Sequence, residues 1–393
     1  MSKNFYKFSL IVGFLILAMP LPILARYVLI VFFVVILFLQ GCINRLPNEP
    51  YFRWSLCFTV FCVLSSIWSL FAKVGLYAVI VNMLPIYLMC YSIILYVEKE
   101  HDLKLVLSAF YISAVILLLY VSTFVNFHDL EGERLIGSGD DRMEGWNSNY
   151  IAGRMVYAIY IGYFIYWKGN YRLQRVLYAL FTILMVIVIF LSGSRTSLLM
   201  LFIPLLTILM VSNGHLIRNV GIAGAVLYAG FYLMMNVPIL YSNVGVRFED
   251  AINIISGNYT GNEDVSRLFL VQFGIEWFLQ RPIFGYGINC FRVLSEQTYL
   301  AGLNLYAHNN YVELLVDIGV MGTLIYYSGH IWLFAKSSLT KRTRYFPVLI
   351  AIMAVVLFSD IFWVSYYNMI TQFMLCVAFC MIKLSNNIKY EAS

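Results

Sequence analysis

Residues 176–212, VLYALFTILMVIVIFLSGSRTSLLMLFIPLLTILMVS, decide the fold class of this chain. The two apolar runs in this stretch, 176–192 and 196–212, are each close to the roughly 20 residues that cross the hydrocarbon core of a bilayer. A short polar turn that contains Arg195 separates them. The stretch therefore predicts two membrane-spanning helices joined by a turn at one membrane surface.

The same pattern recurs from end to end of the 393 residues, of which 62% are hydrophobic and only 12% are charged. Soluble domains carry roughly 25% charged residues, so this composition predicts an all-α polytopic membrane protein with about twelve transmembrane helices. We expect spans near 8–24, 27–43, 51–71, 75–97, 105–125, 150–167, 176–192, 196–212, 219–237, 310–335, 346–363 and 366–383.

The basic residues lie in the breaks between the apolar runs rather than in one patch, which argues against nucleic acid as a partner despite a net charge of +6. Short basic segments such as 168–175 and 336–344 are typical of cytoplasmic loops, and twelve spans return both termini to the cytoplasm. The long segments 126–149 and 238–309 then form external loops. We expect one membrane domain over residues 1–393.

The large external loop is too rich in apolar residues to lack packed structure. Within it, residues 265–280, VSRLFLVQFGIEWFLQ, predict an amphipathic helix along the membrane surface, because the run is too short and too charged to cross. Arg281, Pro282 and the following glycines end the helix.

Three basic side chains fall at predicted helix N-termini on the outer face. Arg195 follows Ser194, a good N-cap residue; Arg267 follows Asp264, another one; and His308 precedes the tenth span. Unpaired backbone N–H groups and the helix dipole favour anions at such places, so two arginines indicate a diphosphate site. The alternatives are a membrane-anchoring role for Arg195, a solvated helix face for Arg267 and a hydrogen-bonded loop histidine for His308.

Four further charges lie at shallow depth in predicted spans: Arg154, Glu313, Asp317 and Asp360. Charges inside a bilayer are costly and usually paired, so we expect them to form a network beneath the large loop. Structural ion pairs would account for them as well as a substrate site would. Either asparagine of 309–310 is able to cap the tenth span.

The sequence indicates neither a disulfide framework nor a metal centre, and we expect no cofactor. Six of the seven cysteines lie in or beside apolar runs, which leaves Cys290 alone in a polar loop. We see no carboxylate-rich metal cluster in the external segments, and Asp140 and Asp141 in the shorter loop are left open as candidate metal ligands.

Three segments in this order, LSGSRTSLL (191–199), SRLFLVQFGIEWFLQRPIFGYGINCF (266–291) and AHNNYVELLVDIGVMGTLIYY (307–327), resemble the O-antigen ligase and O-antigen polymerase superfamily of bacterial envelopes. The segment GDDRMEGWNSNY (139–150) resembles the polymerases. The resemblance implies a GT-C-like fold in the cytoplasmic (inner) membrane and an external active site under the large loop. It also implies a substrate carried on undecaprenyl diphosphate.

Residue by residue, Arg195, Arg267 and His308 match the functional positions of that superfamily. The chemistry of the residue types agrees with this, because arginine binds phosphate oxygens bidentately and histidine accepts a proton near neutral pH. We therefore expect His308 to be the base and the two arginines to hold the lipid diphosphate without a metal. We group Arg154, Asn309 and Glu313 as substrate-binding residues.

From this resemblance we expect the function to be polymerisation of undecaprenyl-diphosphate-linked repeat units into O-antigen, capsule or exopolysaccharide, and a chain-length regulator is left open as a partner. An O-antigen ligase, which transfers the finished chain to lipid A core, is the nearest alternative. A non-enzymatic transporter of lipid-linked glycan is another alternative. Transporters, however, tend to place polar groups near the membrane midplane and are often built from two related halves. An assembly scaffold would tolerate loss of all three functional residues.

Overall fold

The computed structural model describes residues 1–123, 148–167, 171–212, 216–246, 248–249, 253, 262–298, 305–340 and 345–391. Within these ranges the chain is helical and contains no strand. The first helices are α1 (Lys3–Ala18), α2 (Ile23–Gln40), α3 (Pro50–Leu64), α4 (Ala72–Tyr77), α5 (Leu84–Tyr96), α6 (Glu100–Ser122), α7 (Ser148–Gly162) and α8 (Arg172–Leu191). They are followed by α9 (Arg195–Ser212), α10 (Leu216–Asn236), α11 (Asn262–Gln280), α12 (Phe291–Ser295), α13 (Asn310–Ser337), α14 (Tyr345–Ser359) and α15 (Met369–Glu391).

Each predicted span coincides with a helix whose bounds overlap it, and the predicted fold class, an all-α polytopic membrane protein, is confirmed. Among the described residues, seven helices are long and apolar enough to cross a membrane, and two apolar helices are shorter. A π-helical segment, Ala78–Met83, joins α4 and α5 into one of these seven. Twelve spans with both termini in the cytoplasm stay a prediction.

The helices divide into two compact units, each built from two stretches of chain. The first unit comprises Met1–Leu21 and Lys99–Asn258, and the second comprises Pro22–Glu98 and Tyr259–Ser393. No single cut in the sequence separates the two units, and the single membrane domain predicted from the sequence stays a prediction.

In the second unit, α13 is not the straight tenth span that the sequence predicts but a broken helix. Gly319 has a left-handed φ of 64° and a ψ of −171°, values that no helix interior adopts. The side chain of Asn310 donates to the Tyr327 hydroxyl at 3.0 Å, although 17 residues separate them. An unbroken helix would place these residues about 26 Å apart, so residues 310–318 must fold back beside residues 320–327.

The backbone groups freed by this break are hydrogen-bonded by the segment that follows the loop helix α11. Val320 and Met321 donate their N–H groups to the carbonyls of Pro282 and Ile283, at 2.9 and 3.2 Å. In the other direction, the N–H groups of 286–287 donate to the carbonyls of 316–317, at 2.9 and 2.7 Å. A broken helix at membrane depth is tolerated only when its polar backbone is satisfied within the protein, and residues 282–287 provide those partners.

Glycine is required on both sides of this docked segment. Gly285 has a φ of +68°, and a Cβ atom there would lie 2.5 Å from the carbonyl oxygens of Val316 and Asp317. A Cβ atom at Gly319 would overlap the backbone of Ile283. The backbones therefore approach each other more closely than any side chain would permit.

The helix α11 confirms the predicted helix in the large loop, and the loop forms a small core together with α13. Buried residues of this core are Leu270, Tyr286, Cys290, Phe291, Leu294, Ala307 and Val316. One detail of the prediction is wrong: α11 begins at Asn262, so Asp264 lies inside the helix instead of capping it, and Arg267 lies in its second turn. An orientation of α11 along the membrane surface stays a prediction.

Candidate functional site

His308 lies immediately before α13 in a backbone conformation that few residues adopt. Its φ is 52°, in the left-handed region, where histidine is tolerated better than β-branched residues. The next residue, Asn309, is the N-cap of α13, since its side chain accepts a hydrogen bond from the Val312 N–H at 3.1 Å. Of the two asparagines able to cap this helix, the structure therefore selects Asn309.

Asn310 has a different task, which is to anchor the folded-back half of α13. Its backbone N–H donates to the Asp360 carbonyl at 2.7 Å, and its side-chain oxygen accepts from the Ser365 N–H at 2.9 Å. The Tyr327 hydroxyl, which accepts from Asn310, donates in turn to the Asp360 carboxylate at 2.8 Å. The start of α13, next to His308, is thereby fixed to the segment after α14.

Asp317 and Glu313, fully buried on the same half-helix, bind backbone N–H groups of the large loop. The two oxygens of Asp317 accept from the N–H groups of Asn289 and Phe291, each at 2.7 Å. Glu313 accepts from the Ala307 N–H at 2.8 Å, directly beside His308. Each carboxylate thus ties one end of the segment 289–307 to α13.

Two positive charges lie within electrostatic range of His308. Burial, and then the charges of Arg267 and Arg292, lower the pKa of His308 to about 3. Arg267 reaches the site because α11 packs against α13 at Gly274, where a Cβ atom would overlap Val312. The structure thus brings together Arg267 and His308, as the sequence predicts, and keeps the histidine neutral.

Arg292, on α12, is a residue of the site that the sequence analysis missed. Its guanidinium lies over the Tyr306 ring, 5.0 Å from the ring centroid, and donates to the Tyr367 hydroxyl at 3.0 Å. The sequence contains one indication of its packing, because an arginine between apolar residues, as in FRVLSEQ, is typical of a side chain whose stem packs against its neighbours. That pattern gave no indication of a position beside His308.

Arg195 belongs to the first unit, where the predicted Ser194 cap is confirmed. The Ser194 hydroxyl accepts a hydrogen bond from the Ser197 N–H at 3.3 Å and donates to the Ser197 hydroxyl at 2.9 Å. Gly193, with a φ of 63°, makes the preceding turn possible. Arg195 is the first residue of α9 and is partly exposed. Its role stays a prediction.

Arg154 is also in the first unit and is fully buried. Its guanidinium donates to the Phe14 carbonyl at 2.9 Å and to the Ser113 hydroxyl at 2.7 Å, and it lies over the Phe110 ring. These partners are neutral, whereas the sequence predicts a network with carboxylates of α13. A substrate contact of Arg154 stays a prediction.

Among the described residues, no group of three histidine, cysteine, aspartate or glutamate side chains lies close enough to hold a metal ion. Asp140 and Asp141, named above as candidate ligands, lie outside the described residues, as does most of the polymerase-like segment 139–150.

The fold and the site define a class: an all-helical, multi-pass membrane protein with a neutral histidine beside arginine side chains. The O-antigen ligase family model matches residues 180–327, a stretch that includes Arg195, Arg267 and His308. The resemblance to the O-antigen ligase and polymerase superfamily is thereby confirmed. The match supports a function of the ligase or polymerase type in general, in a multi-pass protein of the inner membrane. The comparison with curated proteins gives no match.

Proposed function

We propose that this protein is a glycosyltransferase that polymerises undecaprenyl-diphosphate-linked repeat units into O-antigen, capsule or exopolysaccharide on the outer face of the inner membrane. One observation carries the proposal: His308 is held neutral, at a capped helix start, within range of two arginine charges. A neutral histidine beside cations is suited to take a proton from a hydroxyl while a diphosphate leaves.

The donor side of the reaction falls to arginines. The bond that breaks joins the anomeric carbon of the donor sugar to the lipid diphosphate, and negative charge grows on the departing diphosphate. Arg267 supplies positive charge next to His308, and in our proposal Arg195 supplies a second planar donor at the start of α9. Arginine stays protonated at every relevant pH and binds phosphate oxygens bidentately.

The acceptor side falls to His308. The oxygen of the acceptor hydroxyl forms the new bond to the anomeric carbon, and its proton moves to the imidazole. The protonated histidine then returns the proton to solvent. A single displacement of this kind inverts the anomeric configuration, so a product with retained configuration would contradict it.

The low pKa of His308 links its basicity to substrate binding. In the free site the imidazole is unprotonated at neutral pH, but a group with a pKa of about 3 is a weak base. A bound diphosphate would offset the charges of Arg267 and Arg292, and the pKa of His308 would rise towards its ordinary value. We therefore expect the base to become effective only when the donor is present.

Glu313 and Asn309 are suited to positions beside the acceptor. One oxygen of Glu313 holds the Ala307 N–H, and the other has no hydrogen-bond partner within the part of the chain that the structure describes. Asn309 uses its side-chain oxygen as a helix cap. Its amide nitrogen is the atom we assign to a substrate hydroxyl. Arg154 is the third residue of this proposed group.

An O-antigen ligase is the second candidate, because the matching family model carries that description. Both reactions break the same sugar–diphosphate bond. They differ in the acceptor, which is a lipid-linked repeat unit for a polymerase and lipid A core for a ligase.

The experiment is to reconstitute the purified protein with the lipid-linked repeat unit of its host and to separate the products on a gel. A ladder of increasing length is expected from the wild type, and a loss of at least about 100-fold from His308→Gln, since general-base catalysis contributes at least that factor. His101→Gln, at an exposed histidine, is the matched control and should leave the ladder unchanged.

The possible results distinguish a polymerase from a ligase and from a transporter. A product that forms only after lipid A core is added identifies a ligase. A ladder that survives His308→Gln contradicts the assigned base. If no bond forms with either acceptor, but the lipid-linked glycan moves across the membrane of vesicles that contain the protein, the protein is a transporter and the proposal is wrong.

A further inference from the structure

Arg292 and Tyr306 stand next to His308 in an arrangement that the proposed reaction does not yet use. The Tyr306 and His308 rings are in contact, with their centroids 3.9 Å apart and their planes inclined by 37°. The Arg292 guanidinium lies 5.0 Å from the centroid of the same tyrosine ring. Tyr306 is therefore the neighbour that both the arginine and the histidine share.

The backbone around these side chains is fixed from two directions. The Ser295 hydroxyl on α12 accepts from the Leu305 N–H at 3.0 Å and donates to the Leu305 carbonyl at 2.9 Å. The Glu313 carboxylate holds the Ala307 N–H. The helix that carries Arg292 and the segment that carries His308 thus form one packed assembly.

We propose that Arg292 and Tyr306 are a positioning pair for His308, in which the tyrosine ring orients the imidazole and the arginine both braces that ring and keeps a positive charge beside the base. The inference rests on the proposed function. It assigns a role in the site to two residues that need not touch the substrate.

The contacts of Arg292 favour positioning over phosphate binding. Its guanidinium is already engaged by the Tyr306 ring and the Tyr367 hydroxyl, and the charge of Glu313 acts on it as well. A guanidinium with these partners is a fixed charge. Arg267 lies on the loop helix α11, so the two arginines act on His308 from different elements.

The charged and titratable groups around His308 come from each of the surrounding elements. They are Arg267 from α11, Arg292 from α12, Glu313 from α13, and the tyrosines Tyr306 and Tyr367. Removing the positive charge of Arg292 leaves Arg267 and Glu313 in place. The pKa of His308 should then rise by about one unit, as expected for a unit charge a few ångströms away in a protein environment.

The first test measures His308 without requiring catalysis. The ring Cε1–H signals of the five histidines are followed by NMR in detergent from about pH 2 to 7.5, so that the range includes the low pKa of His308, and His308→Gln identifies the relevant signal. In Arg292→Gln we expect the titration of His308 to move up by about one unit, and in Arg292→Lys to stay near that of the wild type. Arg281→Gln is the matched control, because Arg281 is exposed in the same loop and lies 4.6 Å from the Tyr286 ring centroid.

An unchanged His308 titration in Arg292→Gln, or an equal change in Arg281→Gln, would overturn the electrostatic part of the proposal. Because this measurement does not depend on the product ladder, it can succeed even if the proposed glycosyl transfer fails.

The second test measures the reaction. Tyr306→Leu should lower kcat by about 10-fold with little change in KM, because the base is misplaced while the substrate still binds. Tyr306→Phe keeps the ring and should stay within about twofold of the wild type. A loss in Tyr306→Phe equal to that in Tyr306→Leu, or a change confined to KM, would refute the orienting role of the ring.

Discussion

The buried charges of the two units are accommodated in opposite ways. Arg154 in the first unit donates to groups that have other partners, since the Ser113 hydroxyl also donates to the Phe110 carbonyl and Phe14 lies within α1. Asp317 in the second unit accepts from two loop N–H groups that depend on it. The comparison teaches that a buried charge is replaceable when its partners keep other bonds and indispensable when it alone satisfies a backbone.

The largest expected effect is on Asp317. Asp317→Ala leaves the N–H groups of Asn289 and Phe291 buried without an acceptor, at a cost of about 4 kcal/mol in unfolding free energy. The measurement is thermal unfolding in detergent, together with maleimide labelling of Cys290 located by peptide mapping. Burial, and then the charge of Asp317, raise the pKa of the Cys290 thiol to about 11, so the wild type should label slowly at pH 7. Slow labelling and an unchanged melting temperature in the variant would contradict the assigned role of Asp317.

The next effect tests the docking of residues 282–287 at the helix break. Gly285→Ala should cost about 3 kcal/mol, because it combines a left-handed backbone with an overlap against the carbonyls of Val316 and Asp317. Gly41→Ala is the matched control, since Gly41 has a φ of 65° and open space around its missing Cβ. It should cost only about 1 kcal/mol. Equal costs in melting experiments would show that the close approach at Gly285 contributes nothing.

A smaller effect concerns pH. The pKa of His308 is lowered to about 3, below the ordinary 6.5 that it regains on unfolding. The associated stability is therefore fully present above pH 6.5 and is lost as the pH falls towards 3. Between pH 7 and pH 5 the wild type should lose about 2 kcal/mol more than His308→Gln. Parallel decreases in the melting temperatures of the two proteins would contradict a partly buried, neutral His308.

The smallest effect is expected at Arg154. Arg154→Met should change the unfolding free energy by no more than about 1 kcal/mol, because an apolar side chain of similar length fills the site and both acceptors keep other bonds. If Arg154 binds substrate, as we propose, the KM of the transfer reaction should rise while the melting temperature stays normal. An unchanged KM would contradict that role.

The positions of the helices could be predicted from the sequence because apolar runs near the length of a bilayer core have few other solutions. The Ser194 cap and the loop helix at 265–280 could also be predicted, because both depend on residues that are close to one another in the sequence. The break at Gly319 could not, although DIGVMG contains two glycines. An isolated glycine is tolerated in a helix, and the break is stable because backbone groups of residues 282–287 hydrogen-bond the freed backbone on both sides of it.

The sequence by itself determined that this is an all-helical membrane protein and where its helices lie, and it gave the resemblance to the O-antigen ligase and polymerase superfamily that the match over residues 180–327 confirms. Those conclusions rest on hydropathy, capping and local motifs, which are properties of neighbouring residues. Only the tertiary structure decided that α13 folds back on itself, that Asp317 and Glu313 bind backbone N–H groups of the large loop, and that Arg292 accompanies His308. These features depend on contacts between residues that are distant along the chain, and hydrophobic periodicity contains no information about them.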